Sequence, residues 1–295
     1  MSIFFQGVIS GLILGAVYSI MSVGLSLIYG SLRTLNMAQG GFIMIGGYAA
    51  WMAFAQIGLT PWLGIVVAAI IAALCGVLMY FTALHPVVGK KDIDFGLTAY
   101  MSTMMFNLIL VNLAIILFGS RNKSIPSLID GGFALPGGIH VTWHAVAVAA
   151  VAGICLGLLG WFLNRVRHGL AVMAIAQDLE AARLMGVNST MIYALGVALA
   201  AALGGVAGVL LAPLYFIFPT AGALPLLKGI IIAVVGGLGS VRGCVYAAFL
   251  VGLVESLAAT YLGTGWSLPV LFLVVVVVLA VRPWGLLGLP QEERL

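Results

Sequence analysis

The chain has 295 residues, 63% of them hydrophobic and only 7% charged, with 12 Lys+Arg against 8 Asp+Glu and a mean hydropathy of +1.25. Soluble domains carry about a quarter charged residues, so this composition excludes a soluble enzyme, a nucleic-acid binder and a disordered chain, and leaves an integral membrane protein. The net charge of +4 and pI of 9.1 then bear on membrane orientation and not on an acidic partner.

Each membrane span needs about 20 predominantly apolar residues, and here the charges mark the gaps. Unbroken apolar runs such as Val270 to Val281 favour helices over the alternating pattern of a transmembrane barrel. The first run, predicted at 5–30, has no basic flank before Arg33 and reads as a true span, not a cleaved signal. The chain carries 39 Gly, about twice the usual ~7%. Gly7, Gly11 and Gly15 fall at i, i+4 and i+8 and predict a close helix–helix contact. Before the second span, at 36–56, Asn36 and Gln39 fit the N-cap and N3 positions of a capping box. Lining the translocation path is the alternative role for both.

Further spans are predicted at 62–84, 95–118 and 142–163. Lys90 and Lys91, beside the loop charges Asp92 and Asp94, mark one connection as cytoplasmic. His140 and His144 are four apart, yet no third ligand stands near them, so an interfacial role is expected and no metal site. Cys75, Cys155 and Cys244 lie singly in apolar runs and suggest neither disulfides nor metal ligation.

The longest polar segment is 164–190, far longer than the 2–8 residues of most helix–helix connections. It holds Arg165, Arg167, Asp178, Glu180 and Arg183. Its middle, AVMAIAQDLEAARLMG, is rich in helix formers. A short helix lying across the cytoplasmic face is predicted, with Ile175, Leu179, Ala182 and Met185 on its apolar side and a Glu180–Arg183 pair at i,i+3. Gly186 stands at the C-terminal stop, and Asn188 with Ser189 caps the span that follows. An amphipathic helix resting in the headgroups explains the same pattern.

Later spans are predicted at 191–214, 243–262 and 267–282. The segment 224–240 is short, Gly-rich and contains Lys228; it is either a further span or a broken element covered by protein. Counting it as a span places Arg242, Arg282 and the QEERL tail inside and the amino terminus outside. The exception is the 119–141 connection, which faces outward although it holds Arg121 and Lys123. Lys228 and Glu255 are ionisable groups in apolar surroundings, so each needs a partner; pairing would neutralise both, in a structural or a gating role. VVGGLGSVRG (Val234 to Gly243) lacks the G-x-x-x-x-G-K-[ST] phosphate loop. No catalytic nucleophile–base set is visible.

Several of these stretches together resemble a known family. Glu180-Ala181-Ala182 followed by Gly186 is similar to the E-A-A-x-x-x-G loop of ABC-importer permeases. Leu35-Asn36-Met37-Ala38-Gln39-Gly40, RLMGVNSTMIYAL, Lys228 with VVGGLGSVRG and Glu255, and RPWGLLG (Arg282 to Gly288) resemble motifs of the LivH-type permeases of branched-chain amino acid importers. Gln39 stands where that family often has His.

The resemblance implies an all-α polytopic membrane protein of eight or nine transmembrane helices with the ABC importer permease fold, as one permease domain over 1–295. It implies a coupling helix in the cytoplasmic loop at 164–190, with Asp178, Glu180, Ala181, Ala182, Arg183 and Gly186 meeting an ATPase. Implied partners are two cytoplasmic ATPase subunits, a second, LivM-type permease subunit, and a periplasmic substrate-binding protein, besides membrane lipid and without nucleic acid. The chain itself would bind no cofactor, since ATP and Mg belong to the ATPases. It would sit in the bacterial inner membrane and import branched-chain amino acids; urea, amides or other amino acids are alternative solutes. An ion-coupled secondary transporter using Glu255 or Lys228 is the rival from another class.

Overall fold

A computed structural model describes residues 2–88, 94–135 and 139–288. Lys90, Lys91, Asp92 and the QEERL tail lie outside the described residues, so their predicted placement has no structural counterpart. Eleven α-helices occur among the described residues. Among the described residues, seven segments are long and apolar enough to cross a bilayer: 3–32, 61–84, 95–118, 143–165, 189–215, 241–261 and 264–281. The protein is therefore a multi-pass membrane protein built from helices.

Helix α1 (Ser2–Leu32) is about 46 Å long at 1.5 Å per residue, well over the ~30 Å of bilayer hydrocarbon. It ends at Arg33, whose φ of +55° is rare for a residue with a side chain. The chain then runs without helix through 33–38, where Thr34 and Asn36 are buried. Helix α4 (Phe95–Phe118) covers this stretch: Thr34 donates to the Gly96 carbonyl, and Met37 N–H donates to Thr103 Oγ1 at 3.2 Å. The predicted 36–56 span therefore becomes the shorter α2 (Gln39–Ala55), of 17 residues. Helix α3 (Pro61–Met79) continues as a π-helical turn at Tyr80–Leu84. Helix α5 (Trp143–Arg165) follows a two-stranded antiparallel hairpin, β1 (Gly132–Leu135) and β2 (Ile139–Thr142). The sequence pattern does not predict this hairpin, because four-residue strands bounded by Gly and Pro leave no periodicity to read.

The segment 224–240 proves to be a short helix, α9 (Ala223–Gly236), of 14 residues. At about 21 Å it cannot span the bilayer alone. Both of its ends are held by protein: Gly222 packs on Gly40 at the start of α2, and Val235 and Gly236 accept from Leu286 and Leu287 N–H in the closing RPWGLLG segment. The core lies where α1, α2, α8 (Ser189–Tyr215), α9 and α10 (Val241–Tyr261) converge. Helices α4, α5 and α11 (Ser267–Val281) are mostly exposed, as lipid-facing helices must be.

The charges segregate. Arg33 donates to the Ala176 carbonyl at 3.2 Å, and Gly239 packs against Gly30. Arg33, the 164–190 segment, Arg242 and Arg282 thus share one end of the bundle. Arg121 and Lys123 mark the other, where the N–H and carbonyl of Lys123 pair with Ile217 at 2.8 Å and its ammonium sits 4.5 Å from the Trp51 ring centroid.

Candidate functional site

Gly11 and Gly15 let α1 press directly on α10. A Cβ at either position would stand 2.8 Å from a backbone Cα of α10, that of Leu253 or Phe249. Gly7 is looser, lying 3.2 Å from the Leu257 side chain by the same measure, and its carbonyl accepts from Ser256 Oγ at 2.7 Å. Close backbone approach of this kind maximises dispersion contact where lipid removes the hydrophobic drive.

The same contact assembles a buried polar triad. Tyr18 extends the glycine face of α1, three residues past Gly15 and seven past Gly11. Side chains lean toward their own helix N-terminus, so on two antiparallel helices Tyr18 and Glu255 lean toward each other. The Tyr18 hydroxyl donates to Glu255 Oε2 at 3.0 Å. From α9, the Lys228 ammonium donates to Glu255 Oε1 at 2.5 Å and to the Tyr18 oxygen at 2.9 Å. The Lys228 and Glu255 side chains are only 13% and 8% exposed. The two ionisable residues named from sequence thus form an ion pair. Composition and charge do not mark Tyr18, although its phase with the glycine stripe is a usable signal.

Beside the triad lies a cavity of about 240 Å³ between α1, α2, α8 and α9. Ile43, Met44, Leu211 and Leu224 form apolar walls, while Tyr18 and Lys228 supply the polar end. Glu255 stands behind Lys228 and does not line the space.

Asn36 and Gln39 sit elsewhere, and the capping box is not formed. Gln39 is the first helical residue, not the fourth position of a box, and Ala38 precedes the helix without any side-chain cap. Asn36 Oδ1 accepts from Ala38 N–H at 3.0 Å in a local turn. The Gln39 amide crosses between Gly24 and Gly204 and donates to the Ala200 carbonyl of α8 at 2.9 Å. Asn36 and Gln39 are both buried, and neither lines the cavity.

The long connection differs from the single helix expected. Helices α6 (Arg167–Gln177) and α7 (Leu179–Leu184) are separated by a break at Asp178, with φ −149° and ψ 112°. Asp178 caps α7, its carboxylate accepting from Glu180 N–H at 2.9 Å and Ala181 N–H at 3.0 Å. A side chain able to satisfy these orphan donors competes with helix continuation. Glu180 and Arg183 form no ion pair among the described residues; Arg183 Nε instead donates to Ser189 Oγ at 3.3 Å. Gly186, at φ +82°, closes α7. Its N–H donates to Arg183 O and that of Val187 to Ala182 O, the two bonds of a Schellman stop. Asn188 caps α8 through Met191 N–H.

Ile175 and Ala182 are buried and Leu179 is half-buried, but Met185 is 84% exposed and Leu184 89%. Met185 follows the last helical residue, so it swings off the apolar stripe predicted for it. The outcome is a short, doubly capped helix that presents two apolar side chains at the arginine-rich end. Asp178→Ala is expected to cost α7 about 1 kcal/mol, read as roughly fivefold faster amide exchange across 179–185 with α8 unchanged.

Residues 7–280 match the family model described as the branched-chain amino acid transport system permease component. The chain is 32% identical over 304 aligned positions to the high-affinity branched-chain amino acid transport system permease protein LivH of Escherichia coli K12, covering 99% of this chain and 97% of that one. It is 31% identical to the corresponding BraD protein of Pseudomonas aeruginosa, covering 99% and 98%. A solved structure titled PsaBC from Streptococcus pneumoniae in complex with Fab has a TM-score of 0.48 at 16% identity, covering 96% of this chain and 91% of that one. With the family model spanning nearly the whole chain and full-length relatives above 30% identity, the chain belongs to the family of permease components of branched-chain amino acid transport systems.

Proposed function

We propose that this chain is one of two permease subunits of an ABC importer that carries branched-chain amino acids into the cytoplasm across the bacterial inner membrane. Two ATPase subunits drive it, a LivM-type permease completes the membrane channel, and a periplasmic binding protein delivers the solute. The observation carrying this reading is the α6–α7 segment. A transporter driven by an ion gradient has no use for a capped helix holding Leu184 and Met185 out at one end of the bundle, whereas an ATPase-driven permease needs such a knob to receive motion. The six arginines gathered at that end (Arg33, Arg165, Arg167, Arg183, Arg242 and Arg282) make it cytoplasmic by the positive-inside rule, against Arg121 and Lys123 opposite. Movement of α7 passes to the bundle through the ends of α5 and α8, which the α6–α7 segment joins, and alternates access to the cavity.

The substrate class follows from the named function of the relatives and from the cavity, whose apolar walls suit an aliphatic side chain. Glu180→Lys with Gly186→Val is expected to abolish ATP-driven leucine uptake and co-purification of the ATPase. Valine at φ +82° undoes the stop, and the lysine reverses the charge in the first turn of α7. Undiminished uptake in the double variant overturns the ATPase-coupled reading.

A further inference from the structure

We infer that Lys228 is the carboxylate-binding group of an amino-acid subsite inside the membrane, an inference that rests on the branched-chain reading above. An ammonium carries three N–H donors. Two are committed, to Glu255 and to Tyr18, and among the described residues nothing takes the third. Lys228 borders the cavity, whereas Glu255 does not. The triad therefore orients the ammonium and leaves one donor for a ligand. At about 240 Å³ the space falls below the ~300–1,000 Å³ of sites for drug-sized ligands, the scale of a single small solute.

The rest of the lining matches one chemistry. A cation at one end and Ile43, Met44, Leu211 and Leu224 along the walls receive a carboxylate joined to a short aliphatic side chain. Tyr215, Phe216 and Phe218 also border the space, and such rings attract a cation such as the substrate's own ammonium. Lys228 lies in the second turn of a helix too short to span, at the level of the middle of α1, the depth at which discontinuous helices build transport sites. Glu255 and Tyr18 are positioning residues: they hold the ammonium and offset its charge while the cavity is empty.

The test uses the assembled transporter, with its ATPases, second permease and binding protein, in proteoliposomes. Lys228→Met with Glu255→Gln removes both charges together, so a purely structural pair would tolerate it. The double variant is expected to assemble with its partner subunits, yet to lose leucine uptake by about ten- to a hundredfold, the worth of one charge-assisted hydrogen bond. Wild-type leucine uptake in the double variant overturns the inference. Should the wild-type transporter itself move no leucine, the branched-chain reading fails first, and the two failures are thereby distinguished. A second measurement covers loss of assembly. Leu224→Cys, at the cavity wall, is expected to be alkylated several-fold more slowly in millimolar leucine but not in leucinamide, which lacks the carboxylate. Equal protection by both compounds, or by neither, also overturns the inference.

Discussion

Gly208→Leu is expected to prevent the permease from folding in the membrane. Gly208 lies on α8 where α2 crosses it, and a Cβ there would overlap the Ile43 carbonyl and stand 3.2 Å from Gly47 N. These obstacles are backbone atoms, so no side chain can turn aside and the helices themselves must separate. Neighbouring glycines tighten the same crossing. Gly46 meets Gly205, which in turn faces Ala68 O of α3 at 2.8 Å from a Cβ position. Overpacking a core with extra methylenes costs ~1–3 kcal/mol when side chains can adjust. Here the obstacles are backbone atoms of α2 and two helices must part, so the loss should exceed the upper end of that range. The expected readout is no monodisperse protein on size exclusion after detergent extraction, with Gly208→Ala recovered in reduced yield. Gly157→Leu is the control: among the described residues nothing lies within 4 Å of a Cβ at Gly157, on a helix facing lipid, and full yield is expected. A stable Gly208→Leu protein would show that the α2–α8 crossing does not hold the bundle together.

The span pattern was legible because lipid imposes a simple rule: long apolar stretches become helices, and their ends fall near charges or turn residues. Gly186 and Asn188 were legible for the same kind of reason, since stops and caps depend on one or two residues. What misled were positions where distant partners decide. Gln39 has the spacing of a capping residue, but its amide nitrogen donates to the carbonyl of Ala200, 161 positions away. Met185 continues an apolar stripe on paper, yet Asp178 breaks the helix and the chain turns away before reaching it. The pairing of Lys228 with Glu255 was allowed by charge, but its third member required the antiparallel register of α1 and α10. That register is written in glycines, which say that helices touch and not which ones.

Lys228→Met alone is expected to destabilise the protein more than any other single change in the triad. Removing one member of a buried ion pair typically costs ~3–5 kcal/mol, because the remaining charge keeps its desolvation penalty without its partner. The two halves are not equivalent here. Lys228 borders the cavity, so in Glu255→Ala its ammonium can still take water or solute. Glu255 is shielded from that space by Lys228, and in Lys228→Met its carboxylate retains, among the described residues, only the Tyr18 hydroxyl. The expected order of thermal stability in detergent is therefore wild type, then Tyr18→Phe, then Glu255→Ala, with Lys228→Met lowest. Tyr18→Phe removes one hydroxyl and costs about 1 kcal/mol. Combining Lys228→Met with Glu255→Gln should recover most of the loss, since no uncompensated charge remains. If Lys228→Met alone matched the wild type, the ion pair would contribute nothing to holding α9 against α1 and α10. The recovery in the double variant separates stability from transport: what the second substitution restores is the fold, and what it leaves missing is the cation that faces the cavity.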